Sequence, residues 1–197
     1  SNGCQKKERI ARYTTELFRA LQKEAGIAGN GQAGIRSVPK NAKLIYTHQS
    51  SKDLTELASS FLKYSSNFIS NLVYLACGAE QYGYPATWAK ARRAVDTVLI
   101  KRLGGKTAAA ILQKEGAGLS RDNRVTVRSV LELLREFRPY AYLLRNYMGV
   151  PTKSGSMKGI YNYAGYLDDG KAYVILLNQQ RNQRRAVLGL LKKGKYP

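Results

Sequence analysis

The triplet Asp168-Asp169-Gly170 constrains this chain more than any other feature. It stands between two apolar runs, Ile160 to Leu167 and Lys171 to Leu177. An Asp-Gly turn between such runs is a strong β-hairpin signal, because glycine accepts the positive φ that a tight turn requires. Ahead of the hairpin, apolar residues recur at helical spacing. Helices followed by a late antiparallel hairpin predict a mixed α and β (α+β) fold with helices on an antiparallel sheet, and exclude a parallel βαβ alternation. At 197 residues the chain has room for about one domain and one core.

Ile10, Tyr13, Leu17 and Leu21 form the apolar stripe of a first helix, Glu8 to Glu24, closed by Gly26 and followed by a glycine-rich connector. Ala42 to Tyr46 reads as a short strand. Asp53 is an expected N-cap, with Glu56 completing a capping box for a helix carrying Leu54, Leu57, Ala58, Phe61 and Leu62 on one face. A second apolar run, Phe68, Ile69, Leu72, Val73 and Ala76, resumes after Ser65-Ser66-Asn67. Trp88 to Leu103 is a helix stopped by Gly104-Gly105. Thr126 or Asn123 starts another, with Val127, Val130, Leu131 and Leu134 inward, and a short helix is expected from Tyr140 to Met148. The end, Gln180 to Lys193, reads as helical, with Ala186, Val187, Leu190 and Leu191 inward and the arginines of 181–185 on a solvated face.

Thirty-three Lys and Arg against thirteen Asp and Glu give a net charge of +20, which attracts polyanions: nucleic acid, anionic lipid or acidic cell-wall polymers. A nucleic-acid module, which fourteen tyrosines also suggest, predicts aromatics interleaved with basic residues on one sheet face. Here the basic residues are spread over every helix, so no nucleic-acid partner is expected. No apolar stretch reaches the roughly 18 residues that a membrane-spanning helix needs. Cys4 and Cys77 make no disulfide framework and are read as free thiols; Gly3-Cys4 also matches the tail of a lipid-attachment signal, without the rest of it. With His48 alone there is no metal-ligand spacing, and no metal or cofactor is predicted. Gly105-Lys106-Thr107 is not a phosphate-binding loop, since Ile100 stands where the first glycine is required.

The informative pair is Ser65-Ser66-Asn67 and Lys153-Ser154-Gly155-Ser156, the second running into a strand. Each occurs by chance in many proteins, and by themselves Ser65 and Asn67 would be read as helix caps and Lys153 as a loop lysine. Their order is that of the S-x-N and K-[ST]-G motifs of penicillin-recognising serine enzymes. The segments Tyr64 to Ile69, Tyr84 to Trp88, Gly116 to Asn123 and Lys153 to Gly165 closely resemble, in that order, the class C low-molecular-mass penicillin-binding proteins, which are D-alanyl-D-alanine carboxypeptidases and endopeptidases. Ser66, Ser154 and Glu115-Gly116-Ala117 stand where that family commonly has Asp, Thr and Asp-Gly-Ser.

The resemblance implies that residues 42–197 are the C-terminal part of a penicillin-binding transpeptidase-like domain, and that 1–41 continue from an upstream region. That region would carry the S-x-x-K nucleophile and base. The S-x-x-K strings that do occur, Ser37 to Lys40 and Ser60 to Lys63, are not expected to replace it: Pro39 suits a helix only near its start, and the second string lies inside the helix leading to Ser65. Ser65 would relay a proton to the leaving amine, Asn67 hold a substrate amide, and Lys153 and Ser154 bind the substrate carboxylate. Gly155 would let the substrate backbone approach, and the Ser156 N–H would form half of an oxyanion hole. Tyr161, Tyr163 and Leu119 are expected to pack. The implied partners are a peptidoglycan stem peptide ending in D-Ala-D-Ala, β-lactams in the complete enzyme, and a missing N-terminal half or a second copy covering the edge of the 171–177 strand. The implied location is the cell envelope. The alternatives are a non-catalytic homologue that binds cell-wall peptide or a protein, and a basic nucleic-acid-binding module.

Overall fold

The structure, a computed structural model, describes residues 2–29, 31, 34 and 38–194, with backbone only for 2–8 and 10. Ser37 and the Cys4 side chain therefore lie outside the described residues. The chain divides into two units between Gln49 and Ser50.

The first unit is built on α1, Asn2–Glu24. Gly26, at φ 73, ends it as the pattern predicts: Gly26 N–H bonds Lys23 O and Ile27 N–H bonds Gln22 O, which satisfies the last carbonyls. The strand expected at 42–46 is not formed. Leu44 and Ile45 are 84% and 96% exposed, and no strand among the described residues pairs with the segment, so its ladder groups have nothing to bond.

The second unit begins with α2, Leu54–Tyr64, and the Asp53/Glu56 capping box forms in both directions. Then come α3, Asn67–Tyr82, and α4, Trp88–Leu103. The buried side of α3 is not the expected stripe. Phe68 and Leu72 are 62% and 49% exposed, whereas Tyr74, Gly78 and Ala79 are buried. Small residues decide this: a Cβ on Gly78 would lie 2.3 Å from Ala91 N, so the α3 and α4 backbones meet there.

A short α5, Gly105–Ala108, leads to a two-stranded ribbon of β1, Ile111–Leu112, and β2, Arg124–Val125. Thr126 caps α6, Val127–Phe137, through a reciprocal pair with Ser129. The helix expected over 140–148 is instead a 3-10 turn, Arg138–Leu143, followed by β3, Arg145–Tyr147. Pairing with the next strand overrides local preference there.

β4, Val150–Met157, β5, Ile160–Tyr166, and β6, Ala172–Asn178, complete an antiparallel sheet ordered β3-β4-β5-β6. The Asp168-Asp169-Gly170 turn closes as predicted, with Gly170 at φ 78 and its N–H on Leu167 O. α7, Arg184–Lys192, packs on one face, where Leu188 meets Val150, Tyr163, Tyr173 and Ile175. On the other face Leu134 of α6, Leu144 and Tyr166 form a second core, with Leu62 of α2 against it. In α7 the buried residue is Leu188; Ala186 and Leu190 are exposed, contrary to the sequence reading.

Candidate active site

The junction of α2 and α3 meets β4 at one point. Only Ser65 and Ser66 separate the helices. Ser66 caps α3 through Ile69 N–H at 3.4 Å, and Ser65 is held at φ 53, ψ 47, a left-handed conformation that non-glycine residues rarely take. The Ser65 hydroxyl accepts a hydrogen bond from Lys153 Nζ at 2.5 Å, across 88 positions of sequence. Lys153 also donates to Ser154 O at 2.8 Å. Burial holds the Lys153 ammonium below the ordinary lysine range, because desolvation penalises the charged form.

Ser65, Asn67, Lys153, Ser154, Gly155 and Ser156 line one groove of about 630 Å³. Residues 116–119 form its far wall. That wall is tied down by Glu115, whose carboxylate accepts from Ala117 N–H at 2.8 Å, Ser120 N–H at 3.1 Å and Asn123 Nδ2 at 3.1 Å. Burial pushes the Glu115 pKa up, but these hydrogen bonds outweigh it and the net shift is downward. Gly116 sits so close to α3 that a Cβ would lie 2.5 Å from Ser70 O, and its N–H bonds Asn71 Oδ1 at 2.8 Å.

Two contributors escaped the sequence reading. Glu115 looked like an ordinary turn residue. Arg184, assigned to a solvated face, turns inward: its Nη1 donates to Gly155 O at 2.8 Å and Ser156 Oγ at 2.7 Å, and its guanidinium lies 4.4 Å from the Tyr163 ring centroid. The signal was present, since Arg184, Val187, Leu188 and Leu191 recur at helical spacing and the last three pack on the sheet. Tyr163 is fully buried and packs as expected, and desolvation first, then Tyr147, pushes its pKa up to about 12. Leu119, expected to pack, is 51% exposed on the groove wall. Among the described residues no group of three or more His, Cys, Asp or Glu could hold a metal, and no helix is long and apolar enough to cross a membrane.

Residues 5–149 match the D-Ala-D-Ala carboxypeptidase 3 (S13) family. The chain belongs to that family. Within this carboxypeptidase family it is 28% identical over 194 residues to the D-alanyl-D-alanine carboxypeptidase DacB of Haemophilus influenzae, covering 84% of this chain and 40% of the relative. It is 32% identical over 121 residues to a D-alanyl-D-alanine carboxypeptidase of an Actinomadura species, covering 60% of this chain and 22% of the relative. The crystal structure of penicillin-binding protein 4 (dacB) from Haemophilus influenzae, complexed with a β-lactam, superposes with a TM-score of 0.72 at 23% identity, over 92% of this chain and 49% of that one. The fold is thus that of a class C low-molecular-mass penicillin-binding protein. The chain spans less than half the length of these relatives.

Proposed function

We propose that this chain supplies the substrate-holding and proton-relay half of a peptidoglycan D-alanyl-D-alanine carboxypeptidase, the acylated serine and its lysine base coming from outside these 197 residues. The observation that supports this reading is the 2.5 Å contact between Lys153 Nζ and Ser65 Oγ. With an ammonium donated to its lone pair, the Ser65 hydroxyl keeps its own proton for a second partner, which suits a relay to the departing D-alanine amine. Lys153 and the Ser154 hydroxyl hold the terminal carboxylate of the stem peptide, and charge assistance makes such bonds about twice as strong as neutral ones. Asn67 holds a peptide amide. Gly155 admits the substrate backbone beside β4, and the Ser156 N–H stabilises the oxyanion that forms when the missing serine attacks.

On this reading the partners are a stem peptide ending in D-Ala-D-Ala, β-lactams in the complete enzyme, and a neighbour covering the outer edge of β6. The place of action is outside the cytoplasmic membrane. A binding titration and a labelling experiment test it. An N-acylated D-Ala-D-Ala peptide should perturb amide signals at 65–67 and 153–156, and K153A should abolish the response. A fluorescent penicillin should leave the isolated chain unlabelled, because acylation needs a nucleophile paired with a base. Stable label mapped to Ser37 or Ser60 would overturn the division of labour, and peptide signals elsewhere would overturn the site.

A further inference from the structure

Beyond the motif residues, one side chain ties the groove's strand to the C-terminal helix. Past Thr152, β4 has lost its pairing with β3, and among the described residues β5 is its one strand neighbour. Arg184 reaches this singly supported stretch from α7. Its Nη1 donates to Gly155 O and Ser156 Oγ on β4 and, at 3.4 Å, to Asn162 O on β5, the residue paired with Gly155. The Tyr163 ring lies 4.4 Å from its Cζ and fixes the guanidinium plane. Among the described residues no carboxylate forms an ion pair with Arg184. Its partners are neutral oxygens and a ring, and it lines a pocket of about 310 Å³ together with Ser65, Ser154 and Tyr163.

We propose that Arg184 is a positioning residue that acts through Ser156, holding the Ser156 hydroxyl as a donor toward the carboxylate end of a bound peptide. The inference rests on the function proposed above. A serine hydroxyl has one proton and two lone pairs. With Arg184 donating to a lone pair, the proton is left for the groove, and an O–H whose oxygen already accepts from a cation is a stronger donor. The same guanidinium pins Gly155 O and Asn162 O, so Ser156 is presented in one place. A ligand with a terminal carboxylate gains from this arrangement; the same ligand capped as a carboxamide gains little.

The test is a double-mutant cycle on the 197-residue chain, titrating an N-acetylated D-Ala-D-Ala peptide and its C-terminal carboxamide by NMR. R184Q and S156A are each expected to weaken the carboxylate peptide about tenfold, as expected for losing a charge-assisted contact, and the carboxamide less than about twofold. The double variant should bind no more weakly than either single one, because the two residues act as one unit. Thermal melts establish that each variant folds. Should R184Q melt early, R184K keeps a cation over Tyr163 without the planar fork and should lose about threefold. Multiplying losses in the double variant, or equal losses for both peptides, would overturn the role given to Arg184. If the parent chain binds neither peptide, or K153A leaves binding intact, the underlying reading falls first, and the inference falls with it.

Discussion

The two halves of β4 are built to opposite ends. Val150, Pro151 and Thr152 pair with β3 through Tyr147, Asn146 and Arg145, and Thr152 pairs with β5 as well, opposite Gly165. Val150 is fully buried and Thr152 nearly so, and the Thr152 hydroxyl is satisfied twice, by Val150 O at 3.0 Å and by the Tyr173 hydroxyl at 2.6 Å. Two to four residues later the same strand is exposed at Ser154, Gly155 and Ser156, has one strand neighbour among the described residues, and carries a lysine bonded to a serine 88 positions away. The difference teaches where stability and chemistry are separated. The half paired with β3 anchors the strand in the core, and the half with a free edge is where the proposed ligand would lie without disturbing that anchor.

The largest effect expected is at the anchored end. A Cβ on Gly165 would lie 2.0 Å from Pro151 O, so Gly165→Ala forces β4 and β5 apart and should cost roughly 3 kcal/mol, read as a lowered midpoint in urea unfolding. An unchanged midpoint would mean that the strands can shift freely there, and the contrast between the halves would fail.

Thr152→Val is the next step down. It keeps the shape and strips the buried Tyr173 hydroxyl of its partner, at a cost of about 1–3 kcal/mol. Peptide binding in the groove should survive this change. Lys153→Ala, one residue on, should do the reverse: binding lost, and folding changed by less than Thr152→Val changes it. If the two neighbours behaved alike, the strand would have to be treated as one piece.

The groove's far wall offers a pH test. Glu115 is held below the ordinary carboxylate range in the folded protein, so its contribution to stability is present above the unfolded-state pKa and is lost as pH falls through the folded one. Glu115→Gln should flatten the acid side of the stability profile and speed amide exchange at Ala117 and Ser120, for a loss of about 1 kcal/mol. Unaltered exchange at those two amides would show that the wall is held by Gly116 on α3 alone.

The smallest effect is in the pH dependence of binding. Lys153 is held below the ordinary lysine range by desolvation, so a carboxylate ligand that needs its ammonium should begin to weaken at a lower pH than a solvated lysine would allow. Desolvation also means that the folded state binds the Lys153 proton less readily than the unfolded chain. The stability cost is therefore present below the folded pKa and is relieved as pH rises toward the unfolded one. A ligand affinity that stays flat up to the ordinary lysine range would place the ammonium in water.

Local rules of the backbone were legible in the residues themselves. Gly26 stopped α1, Asp53 and Glu56 boxed α2, and Asp168-Asp169-Gly170 turned the hairpin, because each depends on atoms a few positions apart. The order of Ser65-Ser66-Asn67 and Lys153-Ser154-Gly155-Ser156 was legible too, as a pattern. What failed were assignments that depend on a partner. Ala42 to Tyr46 has strand-forming residues but no strand beside it, and 145–147 became a strand because β4 runs alongside. Phe68 and Leu72 had the right spacing for a core, yet Gly78 and Ala79 set which side of α3 meets α4. Arg184 had the composition of a surface residue, and only the register of α7 on the sheet turned it toward Ser156. The sequence by itself determined the turns, the caps and the chemical groups at hand; tertiary packing alone decided which of them meet, because a contact between positions 65 and 153 is specified by the packing of every element between them.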